Sequence, residues 1–534
     1  MRTIDAPALK AWINDGQELA ILDAREDGEF GRSHLFWANP CGLLRAELRA
    51  RAILPRLGVR ICCVDGGPDG DHPGLAERLA GYLQGIGCSD VAVLAGGTAA
   101  WEAAGYVVFS GVNVPSKAFG EWVEHEYATP SVEPAELQAM IDARADMVIL
   151  DSRPMDEFHR MSIPGGIDVP GGELVYRIGA LAPRAETTIV VNCAGRTRSI
   201  MGAESLRSAG VPNRVVALRN GTMGWELAGL ACDSGKTASY PRGTPADLPV
   251  ALARAAAFAE RWGVRSIDRA GLAALQADAT RTTYLLDVRD PAEFAAGHLA
   301  GSRSAPGGQL VQGTDIWVAV RGARIVLVDD AGVRARMAGG WLRQLGGWDV
   351  YVLTDGLVGR LEEGAWQPAC PEAAALRPAT VTPAELAAML GDGGAQVVQL
   401  SRSVDFREAH LPGALWGVRT RLARLAPRLA ADRAVVVVAS EEAIGRLAVA
   451  ELRALVAAPV KLLAGGLAAW KQAGLPLRAD RQVPPDAECI DVNLRPYDRN
   501  DGVEAAMREY LSWEIDLVHE VARDGDARFG LAAA

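Results

Sequence analysis

The chain has 534 residues, too many for one hydrophobic core at roughly 100–200 residues per domain, so three or four domains are expected. Hydrophobic residues at 49% and charged ones at 23% exclude a disordered chain. A net charge of −11 with no basic block excludes nonspecific binding to DNA, RNA or anionic lipid.

Along the chain, Met1–Pro7 lacks the apolar core of a signal peptide, and apolar runs such as Ala434–Ala439 fall far short of the ~20 residues that span a bilayer. Eight cysteines without a CxxC fit neither a disulfide framework nor a zinc cage. These features point to a soluble chain of the reducing cytoplasm with no metal and no cofactor. Association into a homo-oligomer is left open.

One phrase recurs four times, as Leu22-Asp-Ala-Arg-Glu-Asp-Gly-Glu-Phe30, Leu150-Asp-Ser-Arg-Pro-Met-Asp-Glu-Phe158, Leu286-Asp-Val-Arg-Asp-Pro-Ala-Glu-Phe294 and a degraded Leu400-Ser-Arg-Ser-Val-Asp-Phe406. Each is followed by a second phrase: Gly97-Thr-Ala-Ala-Trp101, Gly221-Thr-Met-Gly-Trp225, Gly356-Leu-Val-Gly-Arg360 and Gly466-Leu-Ala-Ala-Trp470. Repeats this far apart are whole domains, not solenoid units. The expected division is residues 1–109, 130–232, 263–370 and 378–478, then a helical tail, 479–534.

The second copy shows the grammar. Met147–Asp151 reads as a buried strand, Gly171–Ala180 as a helix and Thr187–Asn192 as a central strand. Ser199–Ser208 has helical period with Gly210 as a stop; Arg214–Leu218 is a strand and Gly221–Leu227 a short helix. Strands alternating with helices imply a parallel sheet in a three-layer α/β domain, repeated in tandem. Connectors follow at Gly111–Pro130 and Cys232–Gly263, the latter with a helix over Ala246–Arg261. The tail holds a helix over Val503–Val521, which packs back on the array or mediates dimerisation.

Chemistry concentrates in Cys193-Ala-Gly-Arg-Thr-Arg-Ser199, between the second central strand and its helix. A helix N-terminus aims backbone N–H groups and positive dipole at one spot, favouring a thiolate, and Arg196 and Arg198 add two charges. Lowering a thiol from ~8.5 to ~6.5 raises its ionised share at pH 7 from about 3% to about 75%. The same cradle suits an anionic substrate.

Together the LDxR…EF phrase, the NCAGRTRS loop and the GxxxW phrase resemble the rhodanese sulfurtransferases, over about nine-tenths of the chain. The resemblance implies a cysteine that takes sulfane sulfur, usually from thiosulfate, as a persulfide and hands it to cyanide or a thiol. Cys193 matches that nucleophile, and Ala194, Gly195, Arg196, Thr197 and Arg198 the loop that cradles the persulfide. Arg153 matches an arginine that faces the site in thiosulfate-using members. The same Asp-x-Arg phrase in the other copies, read at Arg25, Arg289 and Arg402, assigns part of that role to architecture.

The other copies depart where it matters. Ile189–Cys193 lies against Ile61–Asp65, Ile325–Asp329 and Val435–Ala439, or Ser440 with a one-residue slip, so one active site per chain is expected. Cys62 and Cys63 sit in a strand body and read as inert, as do Cys41, Cys88, Cys232, Cys370 and Cys489. His34, His298 and His410 follow the EF phrase only in the silent copies and read as structural. Asp65 and Asp329 read as loop caps, and the Trp of the second phrase as core. A phosphatase loop would need Cys-x5-Arg, whereas the last arginine here falls at Cys-x4-Arg198. The remaining alternative is a binding array, with 3-mercaptopyruvate or a persulfide as the real donor.

Overall fold

A computed structural model describes residues 1–68 and 74–530. It contains four sheets whose strands pair in parallel within each unit, one strand of the third unit joining the first sheet antiparallel.

The first unit carries β1 (Arg2–Ile4), β2 (Leu19–Asp23), β3 (Ala38–Pro40), β4 (Arg60–Val64) and β5 (Asp90–Leu94). Connector helix α1 (Val114–Tyr127) leads to β6 (Ser131–Val132), β7 (Met147–Asp151), β8 (Ile167–Asp168) and β9 (Thr188–Asn192). Helix α2 (Thr197–Ser208) and β10 (Val215–Leu218) complete the second unit. After α3 (Leu248–Arg261), the third unit holds β11 (Arg265–Ile267), β12 (Thr283–Asp287), β13 (Arg303–Ser304) and β14 (Val320–Arg321). It continues through β15 (Arg324–Val328), α4 (Val333–Leu345) and β16 (Asp349–Leu353). The fourth unit has β17 (Thr380–Val381), β18 (Ala395–Leu400), β19 (Leu415–Trp416), β20 (Ala434–Ala439) and β21 (Val460–Leu463). The tail ends in α5 (Val503–Asp524), three residues longer than the sequence pattern suggests.

The central strands β4, β9, β15 and β20 are almost wholly buried runs of β-branched and aliphatic residues, as expected of a parallel sheet covered on both faces. The strand expected over Met147–Asp151 has those bounds, and the helix expected over Gly171–Ala180 forms over Leu174–Leu181. Gly97, Gly221 and Gly466, which open the second phrase, have φ of 59°, 56° and 57°. A Cβ there would strike the carbonyl oxygens of Asp65, Cys193 and Ala439, so only glycine allows the approach. The tryptophans four residues on are 0–2% exposed, and each indole N–H donates to the carbonyl six residues later, at 2.9 Å.

Register corrects the reading of the fourth copy. Asp23, Asp151 and Asp287 pair with Val64, Asn192 and Val328, and the residue pairing with Val438 is Gln399. The degraded phrase is therefore Val398-Gln-Leu-Ser401 running to Phe406, two residues upstream of the sequence reading. Arg402 falls outside the Asp-x-Arg position; its side chain is 57% exposed beside Asp405. The same register puts Ala439, without a slip, opposite Cys193.

The units do not hang as beads. Strand β14 of the third unit pairs antiparallel with β2 of the first. Units two and three meet through Gly172 and Gly308, Arg334 with Glu173 at 2.6 Å, and the Trp341 indole donating to Ser205 at 2.8 Å. Units one and four meet through Arg419 with Glu47 and Arg421 with Glu29. One apolar core runs through the first three units and takes in Leu517 and Val521 of α5. The tail thus packs back on the array, its last four residues lying outside the described ones.

Candidate functional site: a buried cysteine under the C-terminal helix

Strand β9 ends at Asn192, and the chain turns through Cys193–Arg196 into α2, whose first-turn N–H groups have no intrahelical partners. The loop hangs on Gly221–Met223: the amide of Thr222 donates to the Cys193 carbonyl at 2.9 Å and that of Met223 to Ala194 at 3.0 Å. The Cys193 thiol donates to Ser199 Oγ at 3.5 Å, and that hydroxyl donates to the Arg196 carbonyl at 2.8 Å.

The loop is covered. Cys193 is 1% exposed. Tyr510, Leu511 and Glu514 of α5 lie over Gly195, whose missing Cβ would come within 3.2 Å of Tyr510 and 3.3 Å of Glu514. Thr197 donates its hydroxyl to Glu514 at 2.5 Å, and Tyr497 and Thr222 share a hydroxyl contact at 3.2 Å. Ala194 joins Met223, Met507 and Leu511 in a small apolar cluster.

This cover reverses the expected thiolate. Burial pushes the Cys193 thiol up, the Glu514 carboxylate adds to the rise, and Arg198 and the Ser199 hydrogen bonds oppose it without winning. The helix N-terminus argument treats the loop as open to water; α5 removes that water.

The arginines are engaged as well. Arg196 pairs with Glu121 at 2.7 Å and with Glu124, both on α1, and turns away from the cradle assigned to it. Arg198 is held by Glu157 at 2.8 Å through both terminal nitrogens. The silent third unit repeats that bond as Arg334 with Glu293 at 2.6 Å. Arg153 donates to Asp151 at 2.8 and 2.7 Å and to the Met161 carbonyl at 2.6 Å. Arg25 and Arg289 make the same three bonds, to Asp23 and Ser33 and to Asp287 and Gly297. In the fourth unit Gln399 reaches the Ala409 carbonyl instead. At 3% exposure, Arg153 braces the loop after β7 in the way its silent counterparts do, which removes it from direct donor contact in this arrangement.

The silent copies follow their expected chemistry. Asp65 accepts from the amides of Gly67 and Ala76 at 2.9 and 3.1 Å, and Asp329 from those of Gly332 and Ala335 at 2.5 and 3.1 Å. His34, His298 and His410 stack on Phe30, Phe294 and Phe406 with ring centroids 3.8–4.2 Å apart. Each holds a β-bridge that Ser162 holds in the second unit. Cys62 is fully buried and pushed up to about 12, whereas Cys232 and Cys370 are partly exposed, against expectation.

Four residues around the loop escaped sequence reasoning: Lys117 and Glu121 from α1, Tyr510 and Glu514 from α5. Lys117 is 6% exposed, lies over the rings of Tyr510 and Trp513 at 5.0 and 4.7 Å, and is pulled down to about 8 by burial. Nothing local in either segment marks them, since both reach the loop only in the folded chain. Beside Thr197 and Arg198, at the junction with the third unit, lies a cavity of about 50 Å³, room for one or two waters.

Four α/β units, each built on a parallel sheet, define a tandem α/β protein, and the second carries the cysteine loop. The family model of the rhodanese-like domain matches residues 133–228, 270–362 and 382–473, just over half of the chain, and the chain belongs to that family. It is similar to a thiosulfate sulfurtransferase of Pseudomonas aeruginosa of known crystal structure, at 46% identity over 100% of both chains with a TM-score of 0.91. It also matches an HTH-type transcriptional regulator of Mycobacterium tuberculosis, at 34% identity over 91 residues. That match spans 17% of this chain and 39% of the regulator. No helix among the described residues is long and apolar enough to cross a membrane.

Proposed function

We propose that the chain is a sulfurtransferase that moves sulfane sulfur from thiosulfate to cyanide or a thiol through a persulfide on Cys193. One observation carries the reading: on one sheet scaffold, the register position at the carboxyl end of the central strand holds a cysteine in the second unit and Asp65, Asp329 or Ala439 in the others. The aspartates are bound up as loop caps. Similarity over the whole length to a thiosulfate sulfurtransferase supports it.

The thiol first gives up its proton. The thiolate then attacks the outer sulfur of thiosulfate; a bond forms between that sulfur and Sγ, the bond to the sulfonate sulfur breaks, and its electron pair leaves with sulfite. Cyanide attacks the persulfide's outer sulfur, leaves as thiocyanate and restores the thiolate; a thiol acceptor leaves as its persulfide. First-turn amides of α2 carry the persulfide charge. Once α5 withdraws from Gly195, Lys117 and Arg198 face the donor anion. With Cys193 1% exposed and Tyr510 and Glu514 lying over Gly195, this withdrawal opens the donor's way to the thiol. A cytoplasmic setting fits a thiol that must stay reduced.

The test is intact mass after incubation with thiosulfate, then thiocyanate release on adding cyanide. A gain of about one sulfur atom (~32 Da) in the wild type but not in Cys193→Ser supports the reading. No gain, or a gain that survives the substitution, moves weight to a binding array supplied by 3-mercaptopyruvate or a persulfide.

A further inference from the structure

The fourth unit keeps a pocket where the second has its cysteine loop. A cavity of about 600 Å³ lies where units one, three and four meet, lined by Ser440 and Glu441 just after Ala439. Its counterpart between units two and three has closed to about 50 Å³.

The lining is chemically uneven. Arg303 is 8% exposed and has no carboxylate partner: it donates to the carbonyls of Ala52 and Trp317, and its Nε is buried with none. Its guanidinium lies 5.3 and 5.7 Å from the rings of Trp317 and Trp366, and burial without a counter-ion pulls it down to about 10. Arg49 is half-buried and donates to the carbonyls of Asp315 and Ile316 with Nε buried and unpartnered, its charge acting on the carboxylates of Asp27 and Asp315. An uncompensated buried guanidinium is costly, and Arg303 beside this cavity calls for an anion, with Arg49 adding positive charge nearby.

Most carboxylates of the lining are spoken for. Glu441 pairs with Arg45 at 2.8 Å and Asp405 lies 3.6 Å from Arg402. Asp491 accepts from the Ser403 amide at 2.8 Å, its other oxygen being buried without a partner, and Asp27 stands exposed at the rim. Burial pushes Glu26 up to about 8, which leaves it mostly neutral at pH 7. The rest of the wall includes Leu48, Trp317, Trp366, Ile444 and Val492.

We propose that this cavity binds a small organic carboxylate with an apolar body, its carboxylate toward Arg303 and Arg49 and its body against the two indoles. The site is independent of the cysteine chemistry and leaves that chemistry to the second unit.

Calorimetric titration of the full chain tests it, with phenylacetate as the probe. Inorganic sulfate, which lacks the body, and benzylamine, which lacks the carboxylate, are the comparisons. Phenylacetate is expected to bind saturably at one site per chain, and both comparison compounds at least tenfold more weakly. Arg303→Met, and Ser440→Trp, which fills the cavity from an exposed position, are each expected to weaken phenylacetate at least tenfold, while Cys193→Ser leaves it unchanged. If Arg303→Met fails to fold, Ser440→Trp decides. No saturable heat, benzylamine binding as tightly as phenylacetate, or affinity that survives the cavity-filling substitution would overturn the proposal.

Discussion

At the scale of single residues, burial holds the Cys193 thiol up and Glu514 adds to the rise. The Glu514 Oε1 accepts from Thr197 while Oε2 is buried without a hydrogen-bond partner, and its carboxylate, though close enough to act on Lys117 and Arg196, adds to the burial that holds the thiol up. Glu514→Gln keeps an acceptor for Thr197 and removes the charge. The Cys193 titration is expected to move down, with alkylation by iodoacetamide at pH 7 several-fold faster; an unchanged rate-against-pH curve would sink the assignment. Glu26 gives a second residue-scale outcome. Its folded-state value of about 8 lies above the ~4.3 of a free glutamate, so the folded chain binds a proton that the unfolded chain releases. That contribution is full below about pH 4.3 and is lost as pH rises through 8. Glu26→Gln is therefore expected to match wild type near pH 5 and to exceed it at pH 9 by on the order of a few kcal/mol. Denaturant melts across that range check it, and a constant gap would exclude the ionisation. The cysteine loop and the aspartate caps were legible in sequence because strand end, loop and helix start are neighbours in the chain. The engagement of Arg196 and Arg153 was not, because Glu121 lies 75 residues from Arg196 and the Arg153 pair differs from a substrate contact only in three dimensions.

At the scale of elements, the loop's shape depends on the short helix after β10. Gly221 has a φ of 56°, and a Cβ there would meet the Cys193 carbonyl, the Gly195 carbonyl at 2.8 Å and Ala194 at 2.9 Å, all backbone. Gly221→Ala is expected to cost ~1–3 kcal/mol in strain and to lower thiocyanate turnover at least tenfold by shifting the loop. Gly229→Ala is the control: its φ is 76°, but the added Cβ meets open space, so strain without loop displacement should spare turnover. Equal losses in both would show that the approach to the loop is not what matters. Element type was legible for the central strands and main helices of the second unit, because buried parallel strands read as apolar runs, while its two-residue edge strands and the helices over Pro134–Asp142 and Met155–Arg160 were not read. The fourth copy's phrase was misread by two residues because Phe406 was kept while the Asp and Arg before it had gone; only pairing of Gln399 with Val438 restores the register.

At the scale of the whole molecule, α5 closes the site and the neighbouring units complete the second one's core. A chain ending at Asn500 is expected to alkylate at Cys193 at least tenfold faster and to melt several degrees lower, since Leu517 and Val521 leave the shared core. Unchanged alkylation would mean that the helix does not guard the thiol. Residues 130–232 alone are expected to aggregate, because Tyr176 and Leu206 pack in a core continuous with the first and third units. Soluble expression with full turnover would contradict that.

By itself the sequence determined four copies of one parallel α/β domain and a single cysteine loop, because repeats, apolar periods and a strand-loop-helix junction are local or recurrent signals. It could not decide whether that cysteine is ionised, which charges face it, or where the tail lies. Those depend on burial and on partners hundreds of residues away: Glu514 lies 317 residues from the Thr197 hydroxyl it receives. Desolvation is a property of what covers a group, and only the tertiary structure places α5 over Cys193.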